Sequence, residues 1–121
     1  MKTKYFIEPD ESGIFIGTDE IARIDSRTVA EEFGESHDSV MKAIENLDSE
    51  YFRALNFELS EYRDEDGKIQ PCYTMTREGF TYLVQKYIKE EYSQIRKEFF
   101  KRFNEMESIV NEKLAEEYRQ I

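Results

Sequence analysis

Three observations predict an α+β fold. Apolar residues recur at helical spacing between residues 26 and 47, an Asp-Gly pair divides two extended segments, and the last third has a helical period with no Gly or Pro. The first dozen residues are mixed in character and are expected to be only partly ordered. Ile14-Phe15-Ile16 stands between Gly13 and Gly17, and Ile21 to Ile24 follows a polar turn, which together predict a small β-hairpin. At Ser26 a hydroxyl can cap the free N–H groups of a first helical turn, and Val29, Ala30 and Phe33 then share one face. Gly34 suits the left-handed end of that helix. Ser36 can cap a second helix, with Val40, Met41, Ile44 and Leu47 as its buried stripe. Two helices joined by such a turn form a helix-turn-helix, the unit that sets a recognition helix into a major groove.

Tyr51-Phe52 and Leu55 read as a linking turn or as the end of the second helix. Phe57 and Leu59 then alternate with Glu58 and Ser60, and Asp66-Gly67 separates that run from Ile69 to Thr74. Asp-Gly between extended segments is a strong hairpin signal, with Pro71 confined to an edge or non-bonded position. A hairpin in this place is a wing. Residues 1–76 are therefore expected to form a winged helix-turn-helix domain with a small N-terminal hairpin.

From Thr76 the period is helical again. Thr76 is a cap for a helix running to Ile88, with Glu78 in its first turn and Phe80, Leu83, Val84 and Tyr87 on its apolar face. The remainder of segment 77–121 predicts a long helix of about 30 residues, roughly 45 Å. Its stripe of Ile95, Phe99, Phe103, Met106, Val110 and Leu114 can pack partly on the chain's own domain, but its length favours the expectation that the distal part meets a second copy, giving a homodimer. Lys113 interrupts the heptad register, which favours a swapped or short antiparallel pairing over a regular coiled coil.

The net charge is −10, and it is unevenly placed. Residues 1–76 hold 8 Lys/Arg against 18 Asp/Glu, whereas residues 77–121 hold 9 of each. Binding to phosphate requires neutralising charge, so the acidic segment is a poor generic DNA binder. The single Cys72 excludes an internal disulfide and fits a reducing cytoplasm. No apolar run approaches a membrane span and no signal peptide opens the chain, so a cytoplasmic protein with no membrane partner is expected.

Candidate nucleic-acid contacts are Arg27, His37, Ser39, Lys42 and Asn46, with Arg63 and Lys68 flanking the wing turn. His37 falls in the first turn of the recognition helix, where it can meet a base edge or phosphate. Alternatively, the His37–Asp38 pair fixes the turn. Lys86, Lys89, Arg96, Lys97, Lys101 and Arg102 form a dense basic cluster, read mainly as a solvated helix face paired with Glu90, Glu91, Glu98 and Glu105. No phosphate-cradling Gly loop, nucleophile–base pair or metal-ligand spacing is present, so neither an enzyme nor a cofactor is expected.

Val29, Ala30, Phe33, Gly34, His37, Asp38 and Val40; then Tyr73, Thr76, Gly79, Phe80 and Thr81; then Phe103, Asn104, Met106 and Glu107 make up three motifs in fixed order. With these motifs the chain resembles the phage regulatory protein family Rha over roughly residues 24–107. The resemblance implies a phage or prophage protein with a DNA-binding domain, a transcriptional regulator. Where that family usually carries a basic pair between Gly34 and His37, this chain has Glu35 and Ser36. Where the family has a Gly-containing link after the third helical segment, this chain has none, which favours a more continuous helix. The acidity and the missing basic pair define the alternative expectation. In that reading the chain is an acidic phage protein that binds and inhibits a basic host protein, as an anti-CRISPR or other anti-defence inhibitor would, by mimicking nucleic acid.

Overall fold

The structure, a computed structural model, describes residues 5–87 and 89–119. Expectations for residues 1–4 and 120–121 lie outside the described residues, whereas the helix expected to run on to Ile88 already ends at Val84, so the expected continuity into the long helix is broken. The chain is a mixed α+β protein with a five-stranded antiparallel sheet. Its elements are β1 (Tyr5–Ile7), β2 (Phe15–Gly17), β3 (Ala22–Asp25), α1 (Ser26–Glu32), α2 (His37–Glu45), α3 (Glu50–Asn56), β4 (Phe57–Arg63), β5 (Ile69–Thr76), α4 (Arg77–Val84) and α5 (Glu91–Arg119). The strand order is β1-β2-β3-β5-β4.

Alternation along the strands decides which face is covered. Ile16 pairs with Ala22, Ile24 with Met75, and Phe57 with Met75, and all five are buried on the face that carries the helices. The expected N-terminal hairpin is β2–β3, and β1 adds a third strand to it. Pro71 lies opposite Glu61, in the part of β5 that extends beyond its last pairing with β3, so the inner strand behaves there as an edge. Leu59, on the same face of β4 as the buried Phe57, is 64% exposed because the hairpin projects past the helices.

The helix boundaries correct several expectations. Asp25, not Ser26, caps α1: its side chain accepts the Thr28 N–H at 2.8 Å, and Ser26 is the first helical residue. Ser36 caps α2 through the Ser39 N–H, and Gly34 has φ of 64° between the two helices. Residues 50–56 are neither a link nor the end of α2. Ser49 accepts the Phe52 N–H and starts a separate helix. Thr76 caps α4 as expected, accepting the Gly79 N–H at 3.1 Å while donating to Asn56 Oδ1 at 2.7 Å. A Cβ on Gly79 would stand 2.9 Å from the Asn56 carbonyl oxygen, so only glycine lets α4 approach the end of α3 this closely.

The stripe on α5 is largely covered within the chain itself. Phe99, Phe103, Met106 and Val110 are buried in the chain's own core, and Ile95 and Leu114 pack against it half-buried. Phe80 meets Phe99 and Phe103 with ring centroids 5.3 and 5.6 Å apart, and Phe33 contacts Phe80, Tyr87, Tyr92 and Phe99. Towards its far end α5 packs along β2 and β3, and Lys113 reaches over the Phe6 ring at 5.3 Å. The N-terminal strands thus supply the apolar surface that a second chain was expected to supply. Residues on both sides of position 76 share this one core.

Phe103→Ala is expected to destabilise the chain by about 3–5 kcal/mol, the usual cost of emptying a buried aromatic site. Urea unfolding should give the same loss at low and high protein concentration. A loss that vanishes on dilution would place Phe103 between chains instead.

Candidate nucleic-acid interface

Ser26 sits at the junction of α1, α2 and β5 and is fully buried. Its Oγ accepts the Tyr73 N–H at 3.0 Å, lies 2.8 Å from His37 Nε2 and is 3.6 Å from Met41 Sδ. With His37 neutral and protonated at Nδ1, the Ser26 hydroxyl donates to Nε2. With the imidazole charged, Nε2–H donates to Oγ, and the hydroxyl hydrogen can turn to Met41 Sδ. Either way the start of α2 is tied to β5. Burial holds the His37 pKa below its ordinary value, and the Arg27 charge adds to that depression while Asp25 and Asp38 oppose it.

The partner of His37 is therefore Ser26. Asp38 turns away and pairs with Lys42 at 3.0 Å on the exposed side of α2. Tyr62 of β4 meets His37 edge-on at 6.0 Å, and the Arg27 guanidinium lies 3.8 Å above the Tyr62 ring. These contacts join the first residues of α1, the start of α2 and the hairpin into one surface.

Ser39, Lys42 and Asn46 are brought together as expected. At about 100° per residue they fall within roughly 60° of one another on α2, and about 140° or more from His37. With Ser36, Asp38, Ala43 and Lys86 they line a concavity of about 510 Å³. Arg63 and Lys68 do not join this set. They stand at the end of the hairpin, where Arg63 Nη1 donates to the Gly67 carbonyl at 2.8 Å. The carboxylate of Asp64 accepts from Gln70 Nε2 and from the Lys68 and Asp66 N–H groups. The bond from Gln70, followed by that from Lys68, holds its pKa below the usual carboxylate range. One of the acidic residues between Arg63 and Lys68 thus serves to build the turn, with Gly67 at φ 79°.

Sequence reasoning missed Tyr62, whose aromatic ring carries no signal of its own on an alternating strand. It also placed Lys86 in a basic helix face, when the break after α4 brings Lys86 to α2. Among the described residues no group of three or more His, Cys, Asp or Glu could hold a metal ion, and no helix is long and apolar enough to cross a membrane.

A two-helix unit seated on an antiparallel sheet, with a projecting hairpin beside its second helix, is the class of scaffold on which this polar surface is built. The family described as phage regulatory protein Rha matches residues 24–108, and the chain belongs to that family. It is 38% identical over 96 residues to an uncharacterized protein of Haemophilus influenzae. The match covers 76% of this chain and 53% of that protein, so the chain spans about half the length of the curated relative it matches. No solved structure matches the chain.

Ser26→Ala is expected to cost about 1–3 kcal/mol, because the Tyr73 N–H and the imidazole lose a buried partner together. A loss within a few tenths of a kcal/mol in chemical unfolding would show the hydroxyl to be dispensable. A second prediction concerns acid. Since the folded pKa of His37 is depressed, the unfolded chain binds more protons between that pKa and about 6.5. Stability is therefore complete above about pH 6.5 and falls as pH drops from there toward the folded pKa. In His37→Gln, unfolding curves across this window should lose that component of the slope, and an unchanged slope would exclude His37 as its source.

Proposed function

We propose that this chain is a phage or prophage regulator that binds DNA sequence-selectively through a winged helix-turn-helix. In this reading α1 and α2 are the helix-turn-helix, α2 is the recognition helix and β4–β5 is the wing. The observation that carries the reading is the convergence of Ser39, Lys42 and Asn46 on the outward side of α2. Donors of this kind on a helix exposed beside a hairpin suit base edges and phosphates in a major groove. Membership of a phage regulatory family supports the same class of function.

Arg27 would act from the side, held over Tyr62 between α2 and the hairpin. Arg63 and Lys68, at the hairpin end, would meet the backbone farther along. One chain carries this whole surface, so the reading does not require the dimer expected from the helical stripe.

A second reading, an acidic surface that engages a basic host protein, is favoured by the other face of the sheet. Glu8, Asp19, Asp25, Glu58 and Glu61, with Arg23 and Arg27, line a cavity of about 760 Å³ there. Five carboxylates against two guanidinium groups suit a cationic segment. Under this reading Glu58→Lys with Glu61→Lys releases a captured basic host protein; capture unaffected by the pair would reject this face.

For the DNA reading, fragments of the chain's own phage locus are the test in electrophoretic shift and footprinting assays. The double variant Arg27→Ala, Lys42→Ala is expected to lose selective binding, each base contact being worth about 1–3 kcal/mol. Selective binding that survives in a folded double variant would move the interface elsewhere.

A further inference from the structure

We infer that Lys86 is a phosphate-binding residue that extends the DNA interface from α2 onto the link between α4 and α5. This rests on the DNA reading above and adds to it a contact outside both the two-helix unit and the hairpin. Lys86 lines the same concavity as Ser39, Lys42 and Asn46, although it lies 40 residues beyond Asn46 in the chain.

The concavity holds two ammonium groups, and they are not equivalent. That of Lys42 has Asp38 as an exposed ion-pair partner at 3.0 Å, for which a phosphate or base must compete. Lys86 is exposed and has no ion-pair partner among the described residues. Once Lys42 and Asp38 cancel, the net positive charge of this wall comes from Lys86. An exposed, unpaired ammonium on a concave wall among hydroxyl and amide donors suits an anionic phosphate oxygen.

The backbone that carries it is held in place. The next residue, Tyr87, is buried with its ring stacked on Phe33 at 5.1 Å, and burial pushes its phenol up to about 12. Arg96 Nη1 donates to the Tyr87 carbonyl. Phe33 closes α1 just before the turn into α2, so the residue next to Lys86 packs on the end of the helix that leads into α2.

Of the rest of the basic cluster, Lys97 and Lys101 are exposed on α5 outside the concavity, and the others are engaged elsewhere. Arg96 makes the bond to Tyr87, Arg102 pairs with Glu98 and Glu105 at 3.4 and 3.5 Å, and Lys89 lies toward the Tyr92 ring at 6.0 Å. The hairpin reaches α2 at His37, whereas Lys86 reaches its outward face. A helix in a groove meets a backbone on each side. Here one side would be served by the hairpin and the other by the Lys86 link.

The test measures affinity against salt for Lys86→Gln, using a mixed-sequence DNA duplex and a fragment of the phage locus. Loss of one phosphate contact lowers the slope of log affinity against log salt by about 0.9 and weakens both duplexes by the same factor. Lys89→Gln, on the same link but outside the concavity, should leave the slope unchanged. If wild-type protein binds neither duplex, the DNA reading and this inference fall together. If wild type binds and Lys86→Gln keeps the full slope, or if Lys89→Gln loses as much, the inference alone is overturned. An unchanged thermal unfolding midpoint in Lys86→Gln separates a lost contact from a lost fold.

Discussion

The attitude of α2 over the sheet depends on one buried hydroxyl. Ser26 accepts an N–H from β5 and bonds the first side chain of α2, so it fixes how the second helix sits over the sheet. An unpaired hydroxyl in this place would cost more than the bonds return, which makes the arrangement specific. It also depends on Asp25. Because the aspartate takes the capping role, the serine one residue later enters the helix with its hydroxyl free to face inward. A single capping bond at 2.8 Å therefore decides whether the Ser26 side chain serves its own helix or the next one.

The sequence disclosed local punctuation far better than the location of partners. Gly34, Ser36, Thr76 and the Asp66-Gly67 pair were legible because a left-handed backbone or a free N–H is satisfied within a few residues. Two caps side by side, Asp25 and Ser26, were not, since both side chains can accept the same kind of bond. The separate α3 was hidden because the seven residues Glu50–Asn56 are too short to display a period. The stripe on α5 was read correctly as apolar, and of its two expected coverings the structure shows the one within the chain. Its covering surface comes partly from Phe33 and Phe80 and partly from β1, β2 and β3, short strands some 80 residues earlier whose width cannot be read from three or four residues each. On the candidate surface, Ser39, Lys42 and Asn46 were found by helical spacing alone, whereas Lys86 required a tertiary contact.

Placed on the structure, the three family motifs describe a scaffold more than a binding surface. Val29, Ala30, Phe33, Val40, Phe80, Phe103 and Met106 are buried, Thr76 caps α4, and Gly79 permits a close approach. Asn104 and Glu107 both accept from Arg77 Nη1, at 2.5 and 2.9 Å, and so clamp α5 to the start of α4. Even His37 is turned inward to Ser26. The Glu35-Ser36 departure falls on the exposed turn and serves the fold in another way, because Ser36 supplies the cap of α2. What the motifs hold constant is the attitude of α2. Ser39, Lys42 and Asn46, on the outward side of α2, lie between the motif positions.

That division bears on how an acidic protein can face an acidic polymer. A net charge of −10 acts at long range and is screened beyond about 10 Å at 0.1 M salt, while contacts are decided locally. Several carboxylates of the acidic segment are already engaged at short range: Asp25 at a helix start, Asp64 in the hairpin turn, and Asp19 with Arg23 at 2.7 Å. Asp19 is held below the usual carboxylate range despite the opposing effect of burial, through its bonds to Arg23 and the Ile21 N–H. Their charge remains, but it is directed at internal donors. Phosphate contacts supply sequence-independent affinity and base contacts supply discrimination. A reader with few free cations and an acidic far field would bind random DNA weakly, so a larger share of its binding energy would come from the bases. On such a surface the acidity acts against non-specific binding and leaves selective binding to the few side chains that α2 presents.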